Sequence, residues 1–237
     1  MKKLLSLVIG LIMVLTLLPV GAAALDDSVE IIGKTLLSGQ YLATVDADPA
    51  DIVGTTPDSY VAMYRDGVLT LNGFEKPIYN ASSGIVSEND LTVELQGNNV
   101  IGSAGEGNCP TSTAIYSEGK LTIQGSGSLT AYGVLESLNG YTGIDIKGGN
   151  LTLFANYPIY AWNYNSDSGS PLTISGGTIN ATGDYVGIYS GDDLTITGGT
   201  IDASGSEYYG ICVRNDLTVT SGNITVDGGQ SGIFTHL

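Results

Sequence analysis

One histidine, one tryptophan, two cysteines and eight lysines and arginines are all that this 237-residue chain carries of those residue types. Each shortage excludes something. The lone histidine, His236, stands at the extreme end, and no Ser-His-Asp set, zinc-ligand spacing or phosphate loop appears in the sequence. Basic residues are outnumbered by twenty-four acids, for a formal charge of −16. An acidic surface of this kind repels nucleic acid and anionic lipid headgroups. It also repels acidic glycans unless a cation intervenes.

Long apolar runs are scarce too. The only one, Leu4 to Val20, follows the basic pair Lys2-Lys3 and precedes the small residues Ala22-Ala23-Ala24. This predicts a secretory signal peptide over residues 1–24, cleaved after Ala24. The run is shorter than the ~20 residues of a spanning helix. With no cysteine after it, a lipoprotein anchor is not expected. Loss of the leader removes two lysines and moves the formal charge to −18, six basic residues against twenty-four acidic. The expected product is extracellular, with no membrane insertion after cleavage and no nucleic-acid partner.

What the chain does have is glycine, thirty-four of them, and a recurring phrase. Leu172-Thr173-Ile174-Ser175-Gly176-Gly177 is rewritten as Leu194-Thr195-Ile196-Thr197-Gly198-Gly199. Each copy is followed by a second β-branched phrase, Thr178-Ile179-Asn180-Ala181 or Thr200-Ile201-Asp202-Ala203, and then by Gly187-Ile188-Tyr189 or Gly210-Ile211-Cys212. Phrase starts fall at residues 69, 91, 121, 144, 172, 194 and 217. A period in the low twenties with three short strands per unit predicts a β-solenoid of about seven coils. Within each strand, period two sends Leu194 and Ile196, Ile201 and Ala203, and Ile211 and Val213 inward. Glycine pairs at 148–149, 176–177 and 198–199 mark the first corner. Two polar insertions, Ala104 to Ser112 and Tyr164 to Ser170, should loop out.

Residues 25–66 lack the repeat and predict an N-terminal β cap, which shields a terminal edge. Ile31 to Leu42 and Tyr60 to Tyr64 should form short strands around a polar loop. Residues 67–237 form the repeat domain. No capping phrase follows Phe234, so further repeats or domains beyond residue 237, or cover from outside the chain, are expected. Cys109 and Cys212 are about four coils apart, roughly 19 Å at ~4.8 Å per coil. That is too far for a disulfide between coil positions; two free thiols are expected, and only the insertion carrying Cys109 could reach over.

The string Leu-Thr-Ile-x-Gly-Gly-Thr-Ile-x-Ala-x-Gly followed by Gly-Ile-Tyr resembles the repeats of secreted Gram-positive bacterial surface proteins described as carbohydrate-binding β-helix proteins. The resemblance covers roughly residues 60–237. It implies an all-β, right-handed parallel β-helix. Relatives in that group bind polygalacturonate-type glycans with calcium, so it also implies a polysaccharide partner and calcium as the candidate cofactor.

Three sets of outward residues could carry such binding. Threonines form columns, Thr173/Ser175, Thr195/Thr197 and Thr218/Thr220, interrupted by Asp145/Lys147; a solvated sheet surface explains them as well. Tyr116, Tyr160, Tyr189 and Phe234 each follow the inward residue of the third strand, and Trp162 lies two residues past Tyr160. Tyr116, Tyr160, Trp162 and Tyr189 are the candidate carbohydrate-binding residues, because outward rings either stack on one another or bind. Tyr141, Tyr185 and Tyr208 form a second set. Asp193 and Asp216 precede the repeat leucine in successive coils, as Asp90 does in an earlier one. With Asp192 and Asn215 they could share calcium, which takes carboxylate and carbonyl oxygens; solvated turn acids are the alternative.

Catalysis draws little support. Arg214 near Asp193 and Asp216 is the only candidate base for a lyase, and no motif selects an acid pair for glycoside hydrolysis. The expected function is a non-catalytic carbohydrate-binding module. A structural spacer or adhesin stalk is the rival, and a β-helix polysaccharide lyase a distant third.

Overall fold

The structure is a computed structural model that describes residues 27–53, 57–77, 83–104, 112–163 and 169–236. The expected leader, Cys109 and most of both insertions lie outside the described residues. Among the described residues all regular structure is β-strand.

Strands are gathered into three sheets that the chain visits in turn, so each repeat strand pairs in parallel with the strand three places later. In the first sheet, Leu91, Leu121, Ile144, Leu172, Leu194 and Leu217 stand in one register column. The second aligns Leu129, Leu151, Ile179, Ile201 and Ile224. The third aligns Ile115, Leu138, Ile159, Ile188, Ile211 and Ile233. These columns meet in a single apolar core. Alternation alone makes this possible, because side chains of a strand point to opposite faces at period two. Leu194 and Ile196 are fully buried while Thr195 between them is half-buried. Each such Leu or Ile contributes about 1.5–3 kcal/mol when fully buried.

The first corner is a glycine device. Gly177 and Gly199 have φ of 90° and 94°, where L side chains are strained. There is no room either: a Cβ on Gly177 would sit 2.8 Å from the Gly149 carbonyl oxygen of the preceding turn.

Residues 28–65 supply the cap, and all of their strand pairs are antiparallel. Ser28–Ile31 pairs with Lys34–Leu37 and lies across Ser83–Ser87. Gln40–Leu42 pairs with Ala62–Arg65, which turns back onto Val68–Asn72. Two tight turns, Ile32-Gly33 and Asp66-Gly67, have positive φ at both residues, the geometry that joins twisted antiparallel strands. The stretch from Ile31 to Leu42 accordingly holds the end of one short strand and two more, Lys34–Leu37 and Gln40–Leu42. The hairpin at Asp66-Gly67 also resets the register of the first repeat. Leu69 pairs with Val93, and Thr70 with Glu94, two residues off the phrase alignment that puts Leu69 beside Leu91.

One polar residue sits in the core columns. Asn99 takes the place that Leu129 and Leu151 hold in later strands and is 1% exposed. It is fully engaged: its Oδ1 accepts from Phe74 N at 2.9 Å, and its Nδ2 donates to the carbonyls of Gln96 and Ser128 at 3.0 Å each. At the other end, Leu217–Val219, Asn223–Gly228 and Ser231–Thr235 leave their inward side more open, with Val219 49% and Ile233 45% exposed.

Candidate functional site

The outer face of the third sheet carries most of the candidate aromatic residues. Its strands contain a local break in alternation. Register runs from Thr113–Glu136 to Ile115–Leu138 with no pair at Ala114–Ser137. Ser137 instead donates its hydroxyl to the Ala131 and Phe154 carbonyls of the second sheet, at 3.2 and 3.0 Å. Two consecutive residues thus turn inward at this corner, and the residues on both sides of them face out. The face accordingly carries two columns. One contains Thr113, Glu136 and Tyr157. The other contains Tyr116, Asn139, Tyr160, Tyr189, Cys212 and Phe234.

Tyr160, Trp162 and Tyr189 come together as expected. Tyr160 and Tyr189 are cross-strand partners with ring centroids 5.0 Å apart. Trp162 meets Tyr189 edge-on at 5.9 Å and 80°. Arg214, considered above as a base, lays its guanidinium over the Trp162 ring, with Cζ 4.4 Å from the centroid. A cation over an indole face contributes about 0.5–1 kcal/mol at an exposed site. Tyr160 differs from expectation in one respect. It is on the outer face yet only 8% exposed, because neighbouring rings cover it.

Tyr157 is the residue that sequence reasoning missed. It lies 5.0 Å from Tyr160, 5.6 Å from Tyr185 and 6.4 Å from Tyr189, at the centre of the cluster. Regular alternation puts positions 157 and 160 on opposite faces; the corner reverses that. Tyr185 and Tyr208 extend the array, with centroids 5.8 Å apart. Farther along, Tyr209 stacks on Phe234 at 4.6 Å and 11°.

Two expected members stand apart. Tyr116 is in the same column as Tyr160, but the strand carrying Asn139 separates them. Tyr141 follows the third-sheet strand Glu136–Gly140 and precedes the first-sheet strand Gly143–Ile146, so it occupies a different corner from Tyr185 and Tyr208. Tyr116 and Tyr141 line one cavity together. On the second sheet, Tyr132 and Phe154 form a separate stacked pair at 4.9 Å.

The acids of the repeat face a different corner and hold the chain's own amide groups. Asp193 Oδ1 accepts from Asp216 N at 3.1 Å, and Asp90 Oδ1 accepts from Lys120 N at 2.8 Å. Asn215 donates its side-chain amide to Asp192 at 2.5 Å. Asp192, Asp193, Asn215 and Asp216 are therefore neighbours across one strand spacing. Among the described residues no group of three or more His, Cys, Asp and Glu side chains is arranged to hold a metal ion. The threonine column of the first sheet is Thr92, Thr122, Asp145, Thr173, Thr195 and Thr218. Asp145, its interruption, pairs with Lys120 Nζ at 2.7 Å.

No family model, curated protein or solved structure matches this chain.

Proposed function

We propose that this chain is a non-catalytic, extracellular carbohydrate-binding module, built as a right-handed parallel β-helix of about seven coils behind its N-terminal cap. A right hand is the one that twisted parallel strands prefer in their crossover connections. The observation that carries the functional reading is the cluster of Tyr157, Tyr160, Trp162 and Tyr189 on adjacent strands of one outer face. Rings fixed by mutual packing present their faces with little rotamer entropy left to lose. Sugar rings offer flat apolar faces to such surfaces, and each aromatic pairing contributes about 0.5–1.5 kcal/mol beyond burial. Two or three stacked rings imply weak binding per module, on the order of micromolar to millimolar. Display in many copies on a cell surface would supply avidity.

Calcium enters as a secondary part of this proposal, at Asp192, Asp193, Asn215 and Asp216. Binding there would raise the melting temperature by mass action, and the Asp193→Asn, Asp216→Asn double variant would lose the rise.

Retention on insoluble polysaccharides, with parallel thermal melts, tests the main reading. Trp162→Ala should abolish retention and leave the melting temperature within a few degrees of wild type. Equal retention of variant and wild type, or no retention of wild type on pectin, xylan or peptidoglycan, would favour a structural spacer. Release of unsaturated oligosaccharide products would instead favour the lyase.

A further inference from the structure

A cavity of about 400 Å³ opens on the outer face of the third sheet, among Thr113, Tyr116, Leu135, Glu136, Asn139 and Tyr141. Its polar groups are deeply placed. Glu136 is 5% exposed and Asn139 is 4% exposed. Thr113 is the cross-strand partner of Glu136 and donates its hydroxyl to Glu136 Oε2 at 2.5 Å. Asn139 Oδ1 has no hydrogen-bond partner among the described residues, the one buried side-chain N or O atom there of which this is true.

An unpaired buried acceptor costs about 1–3 kcal/mol. Most buried polar atoms in folded proteins are paired, so an orphan asks for a reason. Asn99 shows the contrast within this chain, since its buried amide is bonded at both ends. Asn139 is also unlike its column neighbours Tyr116 and Tyr160, which are rings. An apolar residue at position 139 would have carried no such penalty.

We infer that this cavity is a binding pocket for one neutral pyranose residue, and that it selects neutral glycans over uronate glycans. The inference rests on the carbohydrate-binding reading above and adds to it the class of sugar. Asn139 Oδ1 is sealed beneath the cavity wall and meets a ligand only when the side chain turns toward the cavity; it and the Glu136 carboxylate both accept, so the ligand must donate. Sugar hydroxyls donate, and the Tyr116 and Tyr141 rings at the cavity give the ring faces apolar contact. A uronate carboxylate has no proton to offer Asn139 Oδ1 and places a negative charge beside Glu136. The cavity is at the small end of ligand pockets, roughly 300–1,000 Å³, which suits a single sugar ring.

Position supports the same ligand. Glu136 pairs with Tyr157 and Asn139 with Tyr160 on the next strand. The cavity is therefore one strand spacing, ~4.8 Å, from the aromatic cluster. That is of the order of one pyranose unit. A glycan lying across the strands would put one residue in the pocket and its neighbours over the rings.

The test is titration calorimetry with three soluble oligosaccharides of equal length: xylo-oligosaccharide, oligogalacturonate and oligoglucosamine. Wild type, Asn139→Leu, Glu136→Gln and Trp162→Ala are compared, each with a thermal melt. Wild type should bind the neutral oligomer at least about tenfold more tightly than the uronate, the worth of one unmade hydrogen bond to a charged site. Asn139→Leu should weaken neutral binding by about tenfold without lowering the melting temperature, because it removes an orphan acceptor. Glu136→Gln keeps an acceptor, removes the charge and should narrow the gap between neutral and uronate oligomers; this holds the test open should Asn139→Leu misfold. Tighter binding of oligogalacturonate or oligoglucosamine than of the neutral oligomer would overturn the pocket and leave the module a sugar binder. So would wild-type affinity in Asn139→Leu alongside lost affinity in Trp162→Ala. Absence of binding to all three would overturn both readings.

Discussion

Gly191 runs directly beneath Trp162: a Cβ on this glycine would collide with Cε3 of the indole ring. The ring therefore lies against main chain, held at its edge by Tyr189 and covered by the Arg214 guanidinium. Gly191→Ala should lift the ring from this seat. Trp162 is the only tryptophan, so its emission reports the change without interference. A red-shifted emission maximum is expected, together with polysaccharide retention reduced as far as in Trp162→Ala. An unchanged spectrum would mean that the ring is not seated on Gly191.

Ile196 is fully buried between its register partners Ile174 and Val219. Ile196→Val should cost about 0.5–1.5 kcal/mol, the usual range for one buried methylene. Ile196→Asp places a charge where no partner exists, and such a group costs several kcal/mol or unfolds its surroundings. Hydrogen exchange should then show lost protection in residues 194–235 and retained protection in the cap, since repeat units depend chiefly on their neighbours. Uniform loss across the chain would mean that the units are more tightly coupled than nearest-neighbour packing implies.

Burial raises the pKa of Glu136 above its ordinary 4.5, against the smaller opposing effect of the Thr113 hydroxyl. Only between the ordinary pKa and the raised one does the folded state keep a proton that the unfolded chain releases; above both, Glu136 is a carboxylate in either state. This contribution to stability is complete below the ordinary pKa and is lost as pH rises through the folded one. Glu136→Gln removes the dependence. Its stability relative to wild type, from denaturant unfolding, should increase as pH rises above the ordinary carboxyl value and level off once Glu136 is ionised in the folded state. A difference that does not vary with pH would show that Glu136 is ionised equally in both states.

Cys212 is buried in the outer aromatic column, and its thiol is pushed up to about 11 by burial. The thiolate is the reactive form. In a Cys109→Ser background, Cys212 should resist a disulfide reagent at neutral pH and react at once in denaturant. Rapid reaction in the native state would require the ring column to open.

Most of the three-sheet arrangement was legible because a two-residue alternation and a recurring glycine corner repeat often enough to reveal their register. The column that contains Leu172 and Leu194 follows directly from Leu-Thr-Ile. Where the chain departs from its own repeat, legibility ends. Leu69 imitates the phrase, but the hairpin at Asp66-Gly67 shifts its partner to Val93. Tyr157 was hidden by the corner near Pro158, where alternation fails and positions 157 and 160 come to share a face. Glu136 and Asn139 carried no motif at all. They matter because of what stands opposite them on neighbouring strands, which a linear reading of spacing does not reveal.

The antiparallel cap gives the molecule a direction in time as well as in space. Synthesis delivers the N-terminal end first, and the cap closes its hairpins from contacts local in sequence. Val68–Asn72 then stands as a finished edge on which Leu91–Gln96 can settle. Every later unit meets the same situation: a template already in place, one loop to close, one layer to add. Assembly becomes a ratchet that advances in short strides, although every parallel pair joins residues twenty or more apart. An interruption would leave a shorter version of the same object, with its completed layers intact.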